Sequence, residues 1–309
     1  MSDKAVTRRL AADGAGIAEA VRVLAAGRLV ALPTETVYGL AARADDANAV
    51  QRIFTAKGRP SFNPLIVHAE GLAQAEEIAV FSAAARALAE RFWPGPLTLV
   101  LPVRQGAVAS LVTAGLPTVA VRVPRHPVMR AVIKASDRPL AAPSANASGR
   151  ISPTRAEHVL ASLAGRIPLV LDAGPTEHGL ESTIVKVDEK GVRLLRPGPI
   201  SAEALGAVVS QAQQVEAPGQ LASHYAPSKP LRLDASDAAA DEWLIGFGAI
   251  EGHASLSRSG DLVEAAARLF DQLHLAEAAP QPRIAVAPIP DEGIGAAITD
   301  RLRRAAAPR

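Results

Sequence analysis

Short apolar runs alternate with segments of helical spacing through the first two thirds of the chain, and this alternation constrains the fold more than any other feature. Ile17, Val21 and Leu24 lie one helical turn apart and Gly27 stops them, after which residues 29–32 form a short apolar strand ending at Pro33. Val50, Ile53 and Phe54 mark a second helix closed by Gly58, residues 65–67 a buried strand, and Ser82 caps a helix running to Phe92. Strands are predicted at 97–101, 119–123, 140–142 and 169–171, and a helix begins near His126. Thr154 with Glu157 three residues on predicts a capping box, and residues 183–187 and 192–195 flank Asp-Glu-Lys-Gly as a hairpin. Crossover units together with a hairpin predict an α/β fold with a mixed parallel and antiparallel sheet. The 210–230 stretch is rich in Gln, Ala and Pro and reads as a linker. Beyond it, strands at 231–233, 243–247 and 284–287 and helices at 262–273 and 294–304 predict a small C-terminal α/β domain over 231–309.

Several chemistries are excluded by composition. There is no cysteine among the 309 residues, which removes disulfides, thiolate metal sites and a Cys nucleophile. The seven histidines show no metal-ligand spacing. No phosphate-loop signature occurs, and neither Gly14-Ala-Gly16 nor Gly246-Phe-Gly248 has the third glycine of a dinucleotide fingerprint. No apolar run approaches the roughly 18 residues of a membrane span, and no apolar core follows Lys4, Arg8 and Arg9 as in a secretory leader, so the expected location is the cytoplasm. The net charge is +2, and the last nine residues hold four arginines and no acid. The positive balance is thus read as a basic tail, not a broad nucleic-acid surface.

Polar residues gather where strands end, which is where open α/β sheets bind ligands. The run 33–40, PTETVYGL, offers hydroxyls and a carboxylate, or simply a Thr/Gly turn with a satisfied tyrosine. Lys57 and Arg59, two residues apart across a glycine, either complement a helix C-terminus or suit a polyphosphate. Val119, Val121 and Val123 share one face of their strand, leaving Ala120 and Arg122 on the other, over a solvated sheet or an anion crevice. The small polar loop 142–152 precedes a helix and could cradle phosphate oxygens, and Arg196 adds another cation beside the hairpin.

These same segments resemble the YrdC family in its long, two-domain form. The matching strings are PTETVYGL from Pro33, AKGRPSFNPLIVH from Ala56, WPGPLTLVL from Trp93, TVAVRVPRHP from Thr118, APSANASGRISPT from Ala142, ESTIV from Glu181 and LRPGPI from Leu195. SHYAP from Ser223 and GIGAAITDRLRRAA from Gly293 extend the likeness beyond the first domain. The resemblance implies a YrdC-like twisted mixed sheet with flanking helices over residues 10–209, a 210–230 linker over the active site, and a Rossmann-like C-terminal domain. It implies formation of threonylcarbamoyl-AMP and pyrophosphate from L-threonine, bicarbonate or CO2, and ATP. A separate tRNA threonylcarbamoyl transferase machinery would then modify adenosine 37 of tRNAs reading codons that start with A, with at most a weak tRNA contact here. Carried over by position, Thr36, His68, Arg122, Ala142 and Ser182 would hold threonine, with Arg122 on its carboxylate. Lys57, Arg59, Asn63, Thr118, Ser144, Ser152 and Arg196 would hold the nucleotide, Asn146 would support the same loop, and Tyr225 would close over the adenylate. Lys57, Arg59 and Arg196 would be the charge-neutralising catalytic groups, with Mg2+ bound mainly through the ATP phosphates and no protein metal site. Two departures stand out: Ala41 replaces the family's usual glycine, so its backbone must avoid positive φ, and the C-terminal domain is short. Other readings of the same domain are an RNA-binding module without catalysis and a related carbamoyl-adenylate enzyme of hydrogenase maturation. The latter would bring zinc-binding cysteines that this chain lacks.

Overall fold

The computed structural model describes residues 6–209 and 216–308, so Lys4, Arg309 and the first part of the expected linker, 210–215, lie outside the described residues. The chain begins with β1 (Arg8–Ala11), α1 (Gly14–Ala25), β2 (Val30–Leu32), β3 (Gly39–Arg43), α2 (Ala47–Lys57) and β4 (Ile66–His68). It continues through α3 (Leu72–Ile78), α4 (Ala83–Phe92), β5 (Leu97–Pro102), α5 (Ser110–Thr113), β6 (Thr118–Arg122), α6 (Pro127–Ser136) and β7 (Leu140–Ala141). Then come α7 (Ala156–Leu163), β8 (Leu169–Asp172), β9 (Thr183–Asp188), β10 (Gly191–Arg196), α8 (Ala202–Leu205) and β11 (Val208–Val209). The last third contains β12 (Leu231–Arg232), β13 (Glu242–Gly246), β14 (Ala254–Ser255), α9 (Leu262–Ala278), β15 (Arg283–Val286) and α10 (Gly295–Ala306).

Local chemistry accounts for most boundaries. Asp13, Asp46, Ser82 and Asp261 each accept backbone N–H groups of their helix's first turn, and α2 ends on Gly58 at φ 61°. His126 caps α6 through its ring nitrogen, with Pro127 in the first turn. The Thr154–Glu157 capping box does not form. Thr154 faces His158, its N–H reaching Nδ1 at 3.3 Å, so the helix starts one residue later, from Arg155, without a side-chain cap. Ala41 lies in β3 opposite Val30 and is not among the residues with positive φ. β1 and β3 were not foreseen from the sequence: one is a polar four-residue edge strand, the other a run of small residues inside what reads as a turn.

Strands β1 to β11 form one mixed sheet in the order β1-β8-β2-β3-β7-β4-β6-β5-β9-β10-β11, with parallel and antiparallel neighbours interspersed. The β9–β10 hairpin pairs Val187 with Val192 as the sequence pattern requires. One face of the sheet packs Val67, Leu99, Val121, Val185 and Val170 against α2, α3, α4 and α7. The other face is covered by α1 and α6 over β8, β2, β3 and β7, where Val23, Leu24, Met129 and Ile133 meet Val30, Ala41, Leu140 and Leu169. Over β4, β5, β6, β9 and β10 that face carries a small cluster of Ile66, Val100, Ala120, Ile184 and Leu195, joined by Ala217 and no helical residue. This helix-free half is where a ligand has room.

The last third builds a four-stranded parallel sheet, β12-β15-β13-β14, backed by α9 and α10. Its core includes Val37, Ile151, Leu180 and Tyr225 from before β12, so the two parts share one apolar interface. Three of the four terminal arginines, Arg301, Arg303 and Arg304, belong to α10, and Arg301 is fully buried. The expected basic tail is a packed helix. Among the described residues no helix is long and apolar enough to cross a membrane.

Candidate functional site

Alternation along the strands places the polar groups. With Val119 and Val121 in the main core, Ala120 and Arg122 turn to the helix-free face, as the sequence pattern predicts. Parallel pairing of β4 with β6 sets His68 beside Arg122, and β9 and β10 bring Ser182 and Arg196 to the same side. The resulting cavity is lined by Thr36, His68, Arg122, Ala142, Ser144, Ser182, Arg59, Arg196 and Tyr225, all of them foreseen. Glu181, Pro218, Gly219 and His224 also line it and were not.

At one end, Arg122 is buried. It donates to Gly95 O at 3.1 Å, to Thr36 Oγ1 at 2.9 Å and to Glu35 Oε1 at 2.6 Å. Glu35 was missed as a partner. Burial alone would raise its pKa, but the Arg122 guanidinium overrides this and holds the carboxyl at about 2. Thr34 Oγ1 accepts the Thr36 and Val37 N–H groups at 3.1 and 3.2 Å, which fixes this loop. Tyr38, by contrast, is a satisfied core residue donating to Gly174 O at 2.7 Å. His68 is neutral, its pKa pushed to about 3 by burial and then by Arg122, and its Nδ1 has no partner.

At the other end, Arg59 and Arg196 are both buried and neither has an ion-pair partner among the described residues. Arg59 donates to the carbonyls of Asn63 at 3.1 Å and Pro64 at 2.8 Å. Arg196 donates to Ser182 O at 2.9 and 3.1 Å and to Ser182 Oγ at 3.1 Å, while Thr98 holds the same hydroxyl at 2.7 Å. Burial lowers both guanidinium pKa values, that of Arg59 to about 10, and their mutual repulsion acts the same way on Arg59. Two buried guanidiniums without ion-pair partners on one cavity suit an anion.

The remaining foreseen residues lie behind the wall. Lys57 Nζ reaches the carbonyls of Ser144, at 2.7 Å, and Asn146, tying the 142–152 loop to α2; burial lowers its pKa far below the usual ammonium range. Asn146 Nδ2 donates within the loop to Ala147 O and Arg150 O. Ser152 donates to Glu181 Oε1. Asn63 is fully buried with neither amide atom partnered, and Thr118 opens β6 opposite Pro102. Unpartnered polar atoms on His68, His224 and Tyr225, all on the cavity wall, are what a site built for a polar ligand leaves behind.

Residues 216–226 cover the cavity. Tyr225 is buried at φ 61°, and a Cβ on Gly219 (φ 88°) would come within 2.6 Å of Tyr225 Oη and 2.8 Å of Arg196 Cδ. Among the described residues no group of three or more His, Cys, Asp or Glu side chains could hold a metal ion.

The family model described as telomere recombination, for Sua5, YciO and YrdC proteins, matches residues 22–198. The model described as threonylcarbamoyl-AMP synthase, C-terminal domain, matches residues 200–307. A threonylcarbamoyl-AMP synthase of Bacillus subtilis is 40% identical over 334 residues, spanning 98% of this chain and 96% of that protein. One from Pyrococcus abyssi is 40% identical over 90% of each chain. The crystal structure of P. abyssi Sua5 complexed with L-threonine superposes with a TM-score of 0.88 at 37% identity, over 97% of each chain. The chain is an enzyme of the nucleotidyltransferase type, as these relatives are named. It belongs to the Sua5/YciO/YrdC family, in the two-part form that carries the Sua5 C-terminal domain.

Proposed function

We propose that this chain condenses L-threonine, bicarbonate or CO2, and ATP into threonylcarbamoyl-AMP with release of pyrophosphate. The observation that carries the reading is the polarity of one cavity. Arg122, already balanced by Glu35, sits with Thr36 and neutral His68 at one end, and the unbalanced pair Arg59 and Arg196 at the other. The first end suits a single carboxylate, the second a polyphosphate of several charges. Similarity to a threonine-bound Sua5 supports the assignment of the amino acid to the Arg122 end, beside Ala142 and Ser182.

In this reading the threonine amine takes up CO2 as a carbamate, and a carbamate oxygen attacks the α-phosphorus while pyrophosphate leaves. The nucleophile belongs to the substrate, so the protein needs none. Its contribution is positioning and charge neutralisation, as in other phosphoryl transfers. Arg59 and Arg196 offset the charge that develops on the leaving pyrophosphate, with Ser144 and the 142–152 loop around it. Lys57 acts from behind by setting the Ser144 and Asn146 carbonyls, and Ser152 acts from behind by holding Glu181, the residue before Ser182. Asn63 and Thr118 would complete the nucleotide end after a small rearrangement of the cover. The Glu35 and Glu181 carboxylates are both engaged by arginines, so Mg2+ would enter on the ATP phosphates and keep most of its ligands from them. Tyr225 and the rest of 216–226 form a cover that excludes water from a hydrolysable mixed anhydride. The product would pass to a tRNA threonylcarbamoyl transferase in the cytoplasm, which acts at adenosine 37.

The test is pyrophosphate release from ATP by the purified chain with threonine and bicarbonate added singly and together. Release is expected only with both. ATP hydrolysis at the same rate without threonine overturns the proposal.

A further inference from the structure

The C-terminal domain places a guanidinium where the cavity's wall and cover meet. The buried face of α10 reads Ala297, Ile298, Arg301, Leu302 and Ala305, so Arg301 occupies a core position of an amphipathic helix. It is fully buried. Its Nε donates to Glu181 Oε2 at 2.9 Å, its Nη1 to Asp300 Oδ2 at 2.8 Å, and its Cζ lies 5.1 Å from the Tyr225 ring centroid. Phe270 of α9 packs against the same ring at 5.6 Å. Close by on α10, the Arg304 guanidinium donates to Leu221 O at 2.7 Å, and the Arg304 carbonyl accepts the His224 N–H at 3.1 Å.

Burying an arginine is costly unless its charge is paired and hydrogen-bonded in place. Here the charge does two separable things. It fixes Glu181, the residue before Ser182, on whose carbonyl and hydroxyl Arg196 hangs. It also grips the face of Tyr225, whose backbone is held in a left-handed conformation that a tyrosine rarely adopts. Arg301 is not on the cavity wall, and its contacts run to the Arg196 end, not to Arg122, Thr36 or His68.

We infer that Arg301 is a positioning residue for nucleotide binding, through which the C-terminal domain sets both Arg196 and the Tyr225 cover. This rests on the proposed assignment of the Arg59–Arg196 end to ATP. The consequence is a split: loss of the Arg301 fork weakens ATP far more than threonine, which meets it only through Ser182, next to Glu181. If Arg301 were only domain glue, its loss would weaken both ligands equally, and breaking another inter-domain pair would do the same. Arg155–Asp271, at 2.5 Å and half exposed, supplies that comparison.

The experiment measures equilibrium dissociation constants of the full chain for Mg-ATP and for L-threonine separately, alongside turnover. Arg301→Lys should raise the ATP constant about tenfold or more and the threonine constant by no more than about threefold. Arg155→Gln should change neither. Asp300→Asn removes a carboxylate shared by Arg301 and Arg304 while leaving the guanidinium in place. It should shift ATP binding in the same direction by less, which keeps the inference testable should Arg301→Lys fold poorly. Unchanged ATP binding in both α10 variants, or an equal loss in Arg155→Gln, overturns the inference. If the unaltered chain binds ATP but releases no pyrophosphate with threonine and bicarbonate, the proposed reaction fails instead.

Discussion

Replacing Glu35 with Gln tests the electrostatic frame of the cavity most directly. The substitution keeps the shape and an acceptor for Arg122 but removes the charge. Glu35 and Arg122 are both nearly inaccessible, with side chains 2% and 4% exposed, so solvent screens the pair little. The carboxyl falls from its ordinary 4.5 to about 2 on folding. A shift of that size corresponds to about 3 kcal/mol of stability at neutral pH, within the range for breaking one side of a buried pair. Because the folded pKa is the depressed one, the contribution is complete above pH 4.5 and is lost as pH falls toward 2. The assay is urea unfolding of both proteins at pH 7 and pH 3. Glu35→Gln should lose about 3 kcal/mol at pH 7 but only about 1 kcal/mol at pH 3, where the unfolded carboxyl of the parent is already protonated. Equal losses at the two pH values, or none at pH 7, would refute the argument.

Gly219→Ala should displace the cover, since a Cβ there meets Tyr225 Oη and Arg196 Cδ and forces φ 88° on an alanine. We expect ATP binding weaker by more than about 1 kcal/mol and faster proteolysis of the 216–226 segment in the presence of ATP, both measured against the parent. The stacked pair His158 and His274, 3.8 Å apart between the two domains, titrates near pH 4 in the fold because of burial, with the His158 charge also acting on His274. Asp271, Arg155 and Glu277 face the pair, and the ring of His274 meets Ser152 O at 3.1 Å. Depressed histidine pKa values make this interface strongest above pH 6.5 and weaker as pH falls toward 4. His274→Gln should flatten the loss of urea stability between pH 7 and pH 5, and an unchanged slope would show that the pair is not its source.

What could be read from the sequence follows a physical line. Strand patterning showed that Arg122 faces away from Val119 and Val121, because period-2 alternation is a local property. The helix stop at Gly58, the cap at Ser82 and the helix start near His126 were equally local. The capping box at Thr154 failed because a competitor four residues on, His158, took the position. Pairings that join distant segments carry no such signature: Glu35 to Arg122 spans 87 residues, and Arg301 to Glu181 spans 120. Glu35 stood inside a run already marked as polar and functional, yet the carboxylate had the character of a ligand group and proved to be a counter-charge.

The same reasoning explains why cations alone are a poor guide to the site. Lys57 and Arg59 are two residues apart on one helix end, and the sequence treats them alike. The fold does not: α2 ends at Gly58, so the helical Lys57 turns back under the 142–152 loop while Arg59, past the helix, reaches the cavity. Arg196 and Arg301 part company in another way. Arg196, singled out from the sequence as a cation beside the hairpin, lines the cavity wall with no carboxylate in an ion pair among the described residues. Arg301 reads as part of a basic tail, yet it is the most deeply buried charge among the described residues. What separates them is the identity of the partner. Arg122 and Arg301 are each paired with a buried carboxylate, whereas Arg59 and Arg196 are held only by carbonyls and a hydroxyl and carry no such counter-charge, which suits them to a more highly charged anion.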